Sequence, residues 1–188
     1  MRVTPTRLPE VVFVEPKVHG DARGFFLETY HQREYREAGI LEAFVQDNHS
    51  HSMHRTLRGL HAQHLRPQGK LVRAVKGEMF DVAVDIRVGS PSFGRWVGVV
   101  LSGDNFRQLY IPPGFAHGFC VTSAEVDVEY KCTDFYEPGD EIGIAWNDPE
   151  IDIEWPLQNP LLSEKDQQAP RLATILDRLP RYEPVSAR

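Results

Sequence analysis

Residues able to carry out acid–base chemistry are concentrated in one short stretch of the chain. Arg58, His61, His64 and Lys70 all lie within the segment RGLHAQHLRPQGK. A neutral histidine can remove a proton, and a neighbouring cation can stabilise the negative charge that this removal leaves. The structural alternative is an exposed polar edge of a sheet. Four such residues so close together favour a site with a histidine base.

The direction of each side chain depends on the regularity of the strand that carries it. On a regular strand alternate residues share a face. One face would then carry Arg58, Leu60, Ala62 and His64, and the other would carry Gly59, His61 and Gln63. Lys70 belongs to the following strand and is expected to return beside His61.

Three other residues are candidates for the same chemistry. His117 lies in the segment PPGFAHGF, among aromatic residues and glycines. A hydrogen-bonded core histidine is an equally good interpretation of it. Tyr130 alternates with Val128 and Cys132, so it is expected to face inside, and Tyr136 follows soon after. A tyrosine hydroxyl near a cation can act as a general acid, although ordinary burial in a sheet explains both tyrosines as well.

The histidine spacing gives only a weak indication of a metal site. Open catalytic metal sites commonly use three protein ligands. His61 and His64 are three residues apart and would point to opposite faces of a regular strand. The run NHSHSMH, which holds His49, His51 and His54, lacks a carboxylate at a matching spacing and is interpreted as a solvated loop. The two cysteines, Cys120 and Cys132, lack a flanking base and are interpreted as buried apolar side chains.

Short strands are predicted to position these residues. Alternating apolar residues predict strands at 11–15, 25–30, 44–48, 71–75, 79–86, 96–101, 108–111, 117–122 and 126–133, with a tight turn at Lys76-Gly77. A short polar helix is predicted at 31–39, where Gly39 suits a C-cap, and helical spacing of apolar residues is confined to 170–179. Because the middle of the chain has no helices to connect parallel strands, we expect a mostly β fold, a double-sheet jelly roll of the cupin type with short terminal helices.

Length and charge exclude several classes of protein. A chain of 188 residues is expected to form a single domain, with a helical C-terminal extension at about 170–180. The net charge of −6 is the opposite of what a protein that coats nucleic acid needs. The N-terminus lacks an apolar signal segment, and no stretch is apolar enough to span a membrane. We therefore expect a cytoplasmic protein without nucleic-acid or membrane partners.

Longer segments carry a resemblance to a known family. They are DARGFFLETY, VQDNHS, LRGLHAQ, QGKLVRAVKGEMFDVAVDIR, GSPSFGRW, LYIPPGFAHGF, YKCTDFY, WNDPEIDIEWP and LLSEKD. In these segments, which cover most of the chain, the sequence resembles the dTDP-4-dehydrorhamnose 3,5-epimerase family. The resemblance implies a jelly-roll cupin fold, a homodimer, and a reaction that uses no metal and no organic cofactor.

The resemblance also implies roles for individual residues. His61 matches the general base, Asp166 its carboxylate partner, Tyr130 the general acid, and Lys70 the residue near the keto oxygen of the sugar. Arg58 and His117 match contacts with the sugar and diphosphate, and Tyr136 matches the aromatic residue that stacks on thymine. The matches to nucleotide contacts, some of which reach across the dimer, are Arg23, Glu28, Gln46, Asp47 and Asn48. Two further matches to contact positions are Glu141 and Lys165. The family usually has Tyr or Phe directly after the base, where this chain has Ala62.

The implied activity is epimerisation of dTDP-4-dehydro-6-deoxy-D-glucose at C3 and C5, which gives dTDP-4-dehydro-L-rhamnose in dTDP-L-rhamnose biosynthesis. The C4 carbonyl acidifies the protons on both carbons, so a histidine base and a tyrosine acid on opposite walls would suffice. The alternatives are an epimerase that inverts one carbon, a 3,4-ketoisomerase-like relative, a metal-binding cupin oxygenase, and a sugar-binding cupin without activity.

Overall fold

Strands make up most of the regular structure. The computed structural model describes residues 1–184. The strands are β1 (Arg2–Pro5), β2 (Val12–Glu15), β3 (Val18–Asp21), β4 (Gly24–Leu27), β5 (Gln46–Met53), β6 (Leu57–Gln63), β7 (Lys70–Asp85), β8 (Trp96–Ser102), β9 (Gln108–Ile111), β10 (Phe115–Cys132) and β11 (Glu141–Gly143). The α-helices are α1 (Gln32–Glu37) and α2 (Glu164–Gln167), and 3-10 helices lie at Pro138–Asp140, Leu172–Thr174 and Leu176–Arg178.

The two longest strands, β7 and β10, take part in two layers of sheet. They pair with each other along most of their length. At one end β7 pairs with β9 and β10 with β5, whereas at the other end β7 pairs with β8 and β10 with β6. One layer therefore runs β1-β2-β9-β7-β10-β5 and the other runs β8-β7-β10-β6-β11. This antiparallel arrangement confirms the predicted double-sheet jelly roll.

The predicted turn at Lys76-Gly77 is wrong, because β7 continues through it without a break. Gly77 has a φ of 73°, and a Cβ atom added there would lie 1.9 Å from the carbonyl oxygen of Glu125. The register between β7 and β10 shifts beside it. Glycine is thus required for a bulge and a close approach of two backbones, a role that the sequence pattern cannot distinguish from a hairpin turn. The segments 117–122 and 126–133 are likewise one strand, β10.

Two apolar clusters surround the second layer. The larger one fills the space between the layers and includes Val72, Met79, Leu109, Phe115 and Val128, all buried. The other includes Leu60, Val84 and Ile142 and is covered by the C-terminal segment. Together they hold β6, β7 and β10, which carry most of the candidate residues.

The predicted helix at 170–179 is wrong, although its apolar residues contact the core as expected. Leu172, Ile175 and Leu179 pack in the second cluster, but the segment forms only two short 3-10 helices. The amide of Leu172 donates to the Asp148 carboxylate at 2.7 Å, and the Pro170 carbonyl accepts from the Ala145 amide at 2.8 Å. These contacts tie the backbone of the segment to the loop that follows β11.

The other predicted helix, at 31–39, is confirmed by α1, which covers six of its nine residues. Within residues 1–184 there is no helix long and apolar enough to span a membrane.

Candidate active site

A cavity of about 760 Å³ opens between the ends of β5, β6, β7, β10 and β11 and helix α2. It brings together most of the residues that the sequence indicates, namely Gln46, Asn48, Arg58, His61, Lys70, His117, Tyr130, Tyr136, Glu141, Lys165 and Asp166. Arg23, Glu28 and Asp47 do not line it. The cavity is therefore the candidate active site.

The prediction that Arg58 and His61 point to opposite faces is wrong, since both line the cavity. His61 pairs with His117 and Arg58 pairs with Phe119, so three steps along β6 match two steps along β10. The extra residue forms a β-bulge at Gly59, where φ is 116° and an added Cβ atom would lie 2.6 Å from the Cα of Gly118. A bulge changes the direction of the side chains that follow it.

His61 is hydrogen-bonded to a buried carboxylate. Its Nε2 lies 2.6 Å from Oδ1 of Asp166, which is 4% exposed. Burial raises the pKa of Asp166, but the hydrogen bonds with His61 and Ser163 outweigh this and lower it. The carboxylate therefore stays ionised at neutral pH and can stabilise the imidazolium that forms when His61 accepts a proton.

Ser163 is a functional residue that the sequence reasoning missed. Its Oγ caps α2 by accepting from the Asp166 amide at 3.1 Å and donates to Oδ2 of Asp166 at 2.8 Å. The serine thereby orients the carboxylate toward His61. The signal that could have revealed it is the spacing Ser163-Glu164-Lys165-Asp166, which is typical of a helix N-cap.

A second carboxylate, Glu141, lies near the same histidine. Its Oε1 is 3.8 Å from Nε2 of His61 and accepts from Nζ of Lys165 at 2.6 Å, while its Oε2 accepts from the Tyr136 hydroxyl at 2.6 Å. Burial opposes ionisation of Glu141, but the bonds from Lys165 and Tyr136 lower its pKa. The hydrogen bond with Glu141, together with burial, raises the pKa of Tyr136 to about 12.

Lys70 and Tyr130 lie on adjacent strands in a neighbouring part of the cavity wall. Tyr130 is opposite Val72, and Cys132 is opposite Lys70. Burial lowers the pKa of Lys70, partly offset by Cys132, Glu141 and Asp81. Burial also raises the pKa of Tyr130, which keeps its hydroxyl protonated at neutral pH. The wall thus presents a buried amine and a phenolic hydroxyl that can donate a proton.

Two further residues are fixed by hydrogen bonds at the cavity wall. Nε of Arg58 donates to Oγ of Ser52 at 3.0 Å, and Nε2 of His117 lies 2.7 Å from Oδ1 of Asp81. His117 is only 8% exposed, so it is both a hydrogen-bonded core histidine and a residue of the cavity. Neither Ser52 nor Asp81 was indicated by the sequence.

The interpretation of the histidine-rich run as a loop is wrong for His49 and His51, which lie on β5. Alternation along this strand turns Gln46 and Asn48 toward the cavity, where Nε2 of Gln46 donates to Oδ1 of Asn48 at 3.0 Å. Asp47 lies outside it, and its Oδ2 is 2.9 Å from Nζ of Lys131. His49 and His51 instead contact Oδ1 of Asp127 at 3.1 and 3.2 Å.

Arg23 and Glu28 are placed by the β3–β4 hairpin, away from the cavity of their own chain. Nη2 of Arg23 lies 2.6 Å from Oδ2 of Asp21 in the hairpin turn. The strand that follows exposes Phe25 and Phe26 at 62% and 66%. Two large exposed aromatic side chains on a two-stranded ribbon are typical of a surface that contacts another molecule.

The remaining candidates are structural in this fold. Cys120 and Cys132 are buried free thiols, as the sequence predicts. Ala62 belongs to the second apolar cluster at 6% exposure and is also among the residues that line the cavity. Among residues 1–184 no group of three or more His, Cys, Asp or Glu residues is arranged to hold a metal ion.

Comparisons with known proteins show which sequences and structures the chain is similar to. Residues 5–174 match the family model described as dTDP-4-dehydrorhamnose 3,5-epimerase. The chain is 60% identical to the dTDP-4-dehydrorhamnose 3,5-epimerase of Shigella flexneri over 88% of this chain and 93% of the relative. It is 52% identical, with a TM-score of 0.95, to a crystal structure of the dTDP-6-deoxy-D-glucose-3,5-epimerase of Legionella pneumophila in complex with dTDP-4-keto-L-rhamnose, covering 97% of this chain and 98% of that one. A 3'-monoepimerase of Streptomyces bikiniensis, in complex with dTDP-quinovose, is 34% identical with a TM-score of 0.89, covering 95% of this chain and 92% of that one.

Proposed function

Because the chain belongs to the dTDP-4-dehydrorhamnose 3,5-epimerase family, we propose that it binds dTDP-4-dehydro-6-deoxy-D-glucose in this cavity and inverts C3 and C5. The observation that carries the proposal is the hydrogen bond of 2.6 Å between His61 and the buried Asp166. This pair shares a cavity with Lys70 and Tyr130. Base, cation and acid are thus available around one substrate.

The first step is proton removal. His61 takes a proton from a carbon next to the C4 carbonyl, and the electron pair of the broken C–H bond moves into an enolate. Asp166 stabilises the imidazolium by accepting its Nε2 hydrogen, while the opposite ring nitrogen, Nδ1, accepts the proton. Lys70, as an ammonium ion, stabilises the enolate oxygen.

The second step is protonation from the opposite side of the sugar ring. Tyr130 donates its hydroxyl proton to the carbon, the enolate returns to a ketone, and the configuration is inverted. His61 and Tyr130 must then exchange their protons with solvent before the next cycle. The reaction transfers protons only and is redox neutral.

The remaining cavity residues suit a nucleoside diphosphate. In this proposal Arg58 and His117, which line the cavity, contact the sugar and diphosphate, and Tyr136, which is half exposed, stacks on thymine. Gln46 and Asn48 provide amide groups that can pair with the base or ribose. Glu141 and Lys165 are additional contacts in this proposal, and Asp47 acts from the neighbouring surface.

The function is tested by NMR of the sugar after incubation of the wild-type protein with the substrate in deuterium oxide. We expect deuterium at both C3 and C5 together with inverted product. Deuterium at a single carbon would instead support the second candidate, a single-carbon epimerase, which the similarity to the 3'-monoepimerase favours. Absence of deuterium from both carbons would contradict both candidates.

We also propose that the protein acts as a homodimer in which the β3–β4 hairpin brings Arg23 and Glu28 to the nucleotide of the partner subunit. The exposed Phe25 and Phe26 on this hairpin support the contact. Loss of a charged hydrogen bond costs about 1.5–3 kcal/mol, so we expect Arg23→Gln to weaken dTDP binding by roughly 10- to 100-fold.

The control for this prediction is Arg33→Gln, which changes an exposed arginine on α1. It should leave dTDP affinity unchanged. Titration calorimetry and analytical ultracentrifugation on the same samples measure affinity and mass. A monomeric protein that binds dTDP with the same affinity as the dimer would contradict a site shared between subunits.

A further inference from the structure

A second histidine–carboxylate pair lies at the cavity, directly beside the first. His117 is opposite His61 in the pairing of β10 with β6. Its Nε2 is 2.7 Å from Oδ1 of Asp81, which is fully buried on β7 and does not line the cavity. The cavity therefore contains two histidines, each bonded through Nε2 to a buried carboxylate, of which the mechanism above uses only one.

Asp81 is an incompletely paired buried carboxylate. Within the part of the chain that the structure describes, its Oδ2 is buried and has no hydrogen-bond partner. Buried polar groups are normally paired, because an unpaired one loses its interaction with water without compensation. Because Asp81 is buried, water screens its charge only weakly, and the charge acts on the groups around it.

The nearby cation is Lys70. Burial lowers the pKa of Lys70, and the charges that oppose this come from Cys132 on β10, Glu141 on β11 and Asp81 on β7. Enolate stabilisation needs the ammonium form of this lysine. A buried negative charge that favours the ammonium form is therefore useful to the reaction.

We propose that Asp81 is a positioning residue that orients His117 and supports the positive charge of Lys70, a role that rests on the proposed epimerase function. An ionised carboxylate only accepts hydrogen bonds, so Nε2 of His117 carries the hydrogen. This leaves Nδ1 of His117 available to the bound substrate. The charge of Asp81 thereby acts on two residues: it orients His117 toward the substrate, and it favours the ammonium form of Lys70.

The test of the charge effect is the pH profile of kcat for Asp81→Asn, which preserves shape and removes charge. Without this carboxylate Lys70 loses its proton at lower pH, so the alkaline limb of the profile should move to lower pH. A merely structural role would lower the melting temperature without moving the limb. An unmoved limb would overturn the proposal.

The matched control is Asp85→Asn. Asp85 is fully buried on the same strand, but it is bonded to Arg87, Ser90 and Ser92 and lies outside the cavity. This variant should reduce the melting temperature and leave the alkaline limb in place. An equal movement of the limb in both variants would also overturn the proposal.

A second measurement uses the wild-type protein without substrate and needs no folded variant of Asp81. Ring ¹⁵N NMR, with the signals assigned by comparison with His117→Gln, should show the hydrogen of neutral His117 on Nε2. A hydrogen on Nδ1 would contradict the role of Asp81. Failure of the wild-type protein to process the dTDP sugar would contradict the proposed function instead, and the ring measurement would still decide the role of Asp81.

Discussion

Replacing His61 by alanine should reduce turnover of the dTDP sugar by on the order of 10²–10⁴-fold, the usual cost of losing a general base. Hydrogen exchange between substrate and deuterium oxide should fall with it, because no other group lies in the position of His61 beside Asp166 and Glu141. Binding of dTDP should remain nearly unchanged, since the residues proposed to hold the nucleotide are intact. Initial rates, deuterium incorporation and calorimetry of dTDP binding measure the three quantities.

The control for His61→Ala is His54→Ala. His54 is exposed, and its Nδ1 contacts the carbonyl oxygen of Ser123 at 2.9 Å, outside the cavity. This variant should keep wild-type turnover. Near-normal turnover in His61→Ala would show that another residue is the base.

Tyr130→Phe should separate proton removal from inversion. The substitution keeps the ring and its packing against the larger core cluster but removes the hydroxyl that donates the proton. His61 can still remove the substrate proton, and Lys70 can still stabilise the enolate. Exchange with deuterium oxide should therefore become faster than formation of inverted product, and inversion should fall by roughly 10²–10⁴-fold. Exchange and inversion are measured by NMR on one protein preparation.

Tyr35→Phe is the matched control for this second prediction. Tyr35 is buried, and its hydroxyl donates to the carbonyl oxygen of Thr29 at 3.0 Å, outside the cavity. It should affect stability without changing the ratio of exchange to inversion. If Tyr130→Phe keeps the wild-type ratio, Tyr130 is not the proton donor, and Tyr136 becomes the next candidate.

The sequence by itself predicts the features that depend on local pattern. Alternating apolar residues and the lack of central helices predict the double-sheet jelly roll, because side chains on a strand alternate between core and solvent. The concentration of His61 and Lys70 in one short segment indicates a site, and both residues line the cavity. The short polar segment at 31–39, ended by Gly39, predicts α1.

Local pattern fails where a residue responds to a distant strand. Gly77 resembles a turn glycine, yet it is needed because the backbone of Glu125 approaches it within one sheet. The apolar spacing at 170–179 predicts core contact correctly and the α-helix wrongly, since distant partners such as Asp148 determine the course of the backbone.

The composition of the site was decided by the tertiary structure. The bulge at Gly59 lets both Arg58 and His61 line the cavity. It arises because three steps along β6, from Arg58 to His61, pair with two steps along β10. Asp166, which Ser163 orients, reaches His61 from 105 positions along the chain, and Asp81 reaches His117 from 36. Strand alternation describes only neighbours in sequence, whereas these contacts arise from the pairing register and the packing of α2 against the sheet.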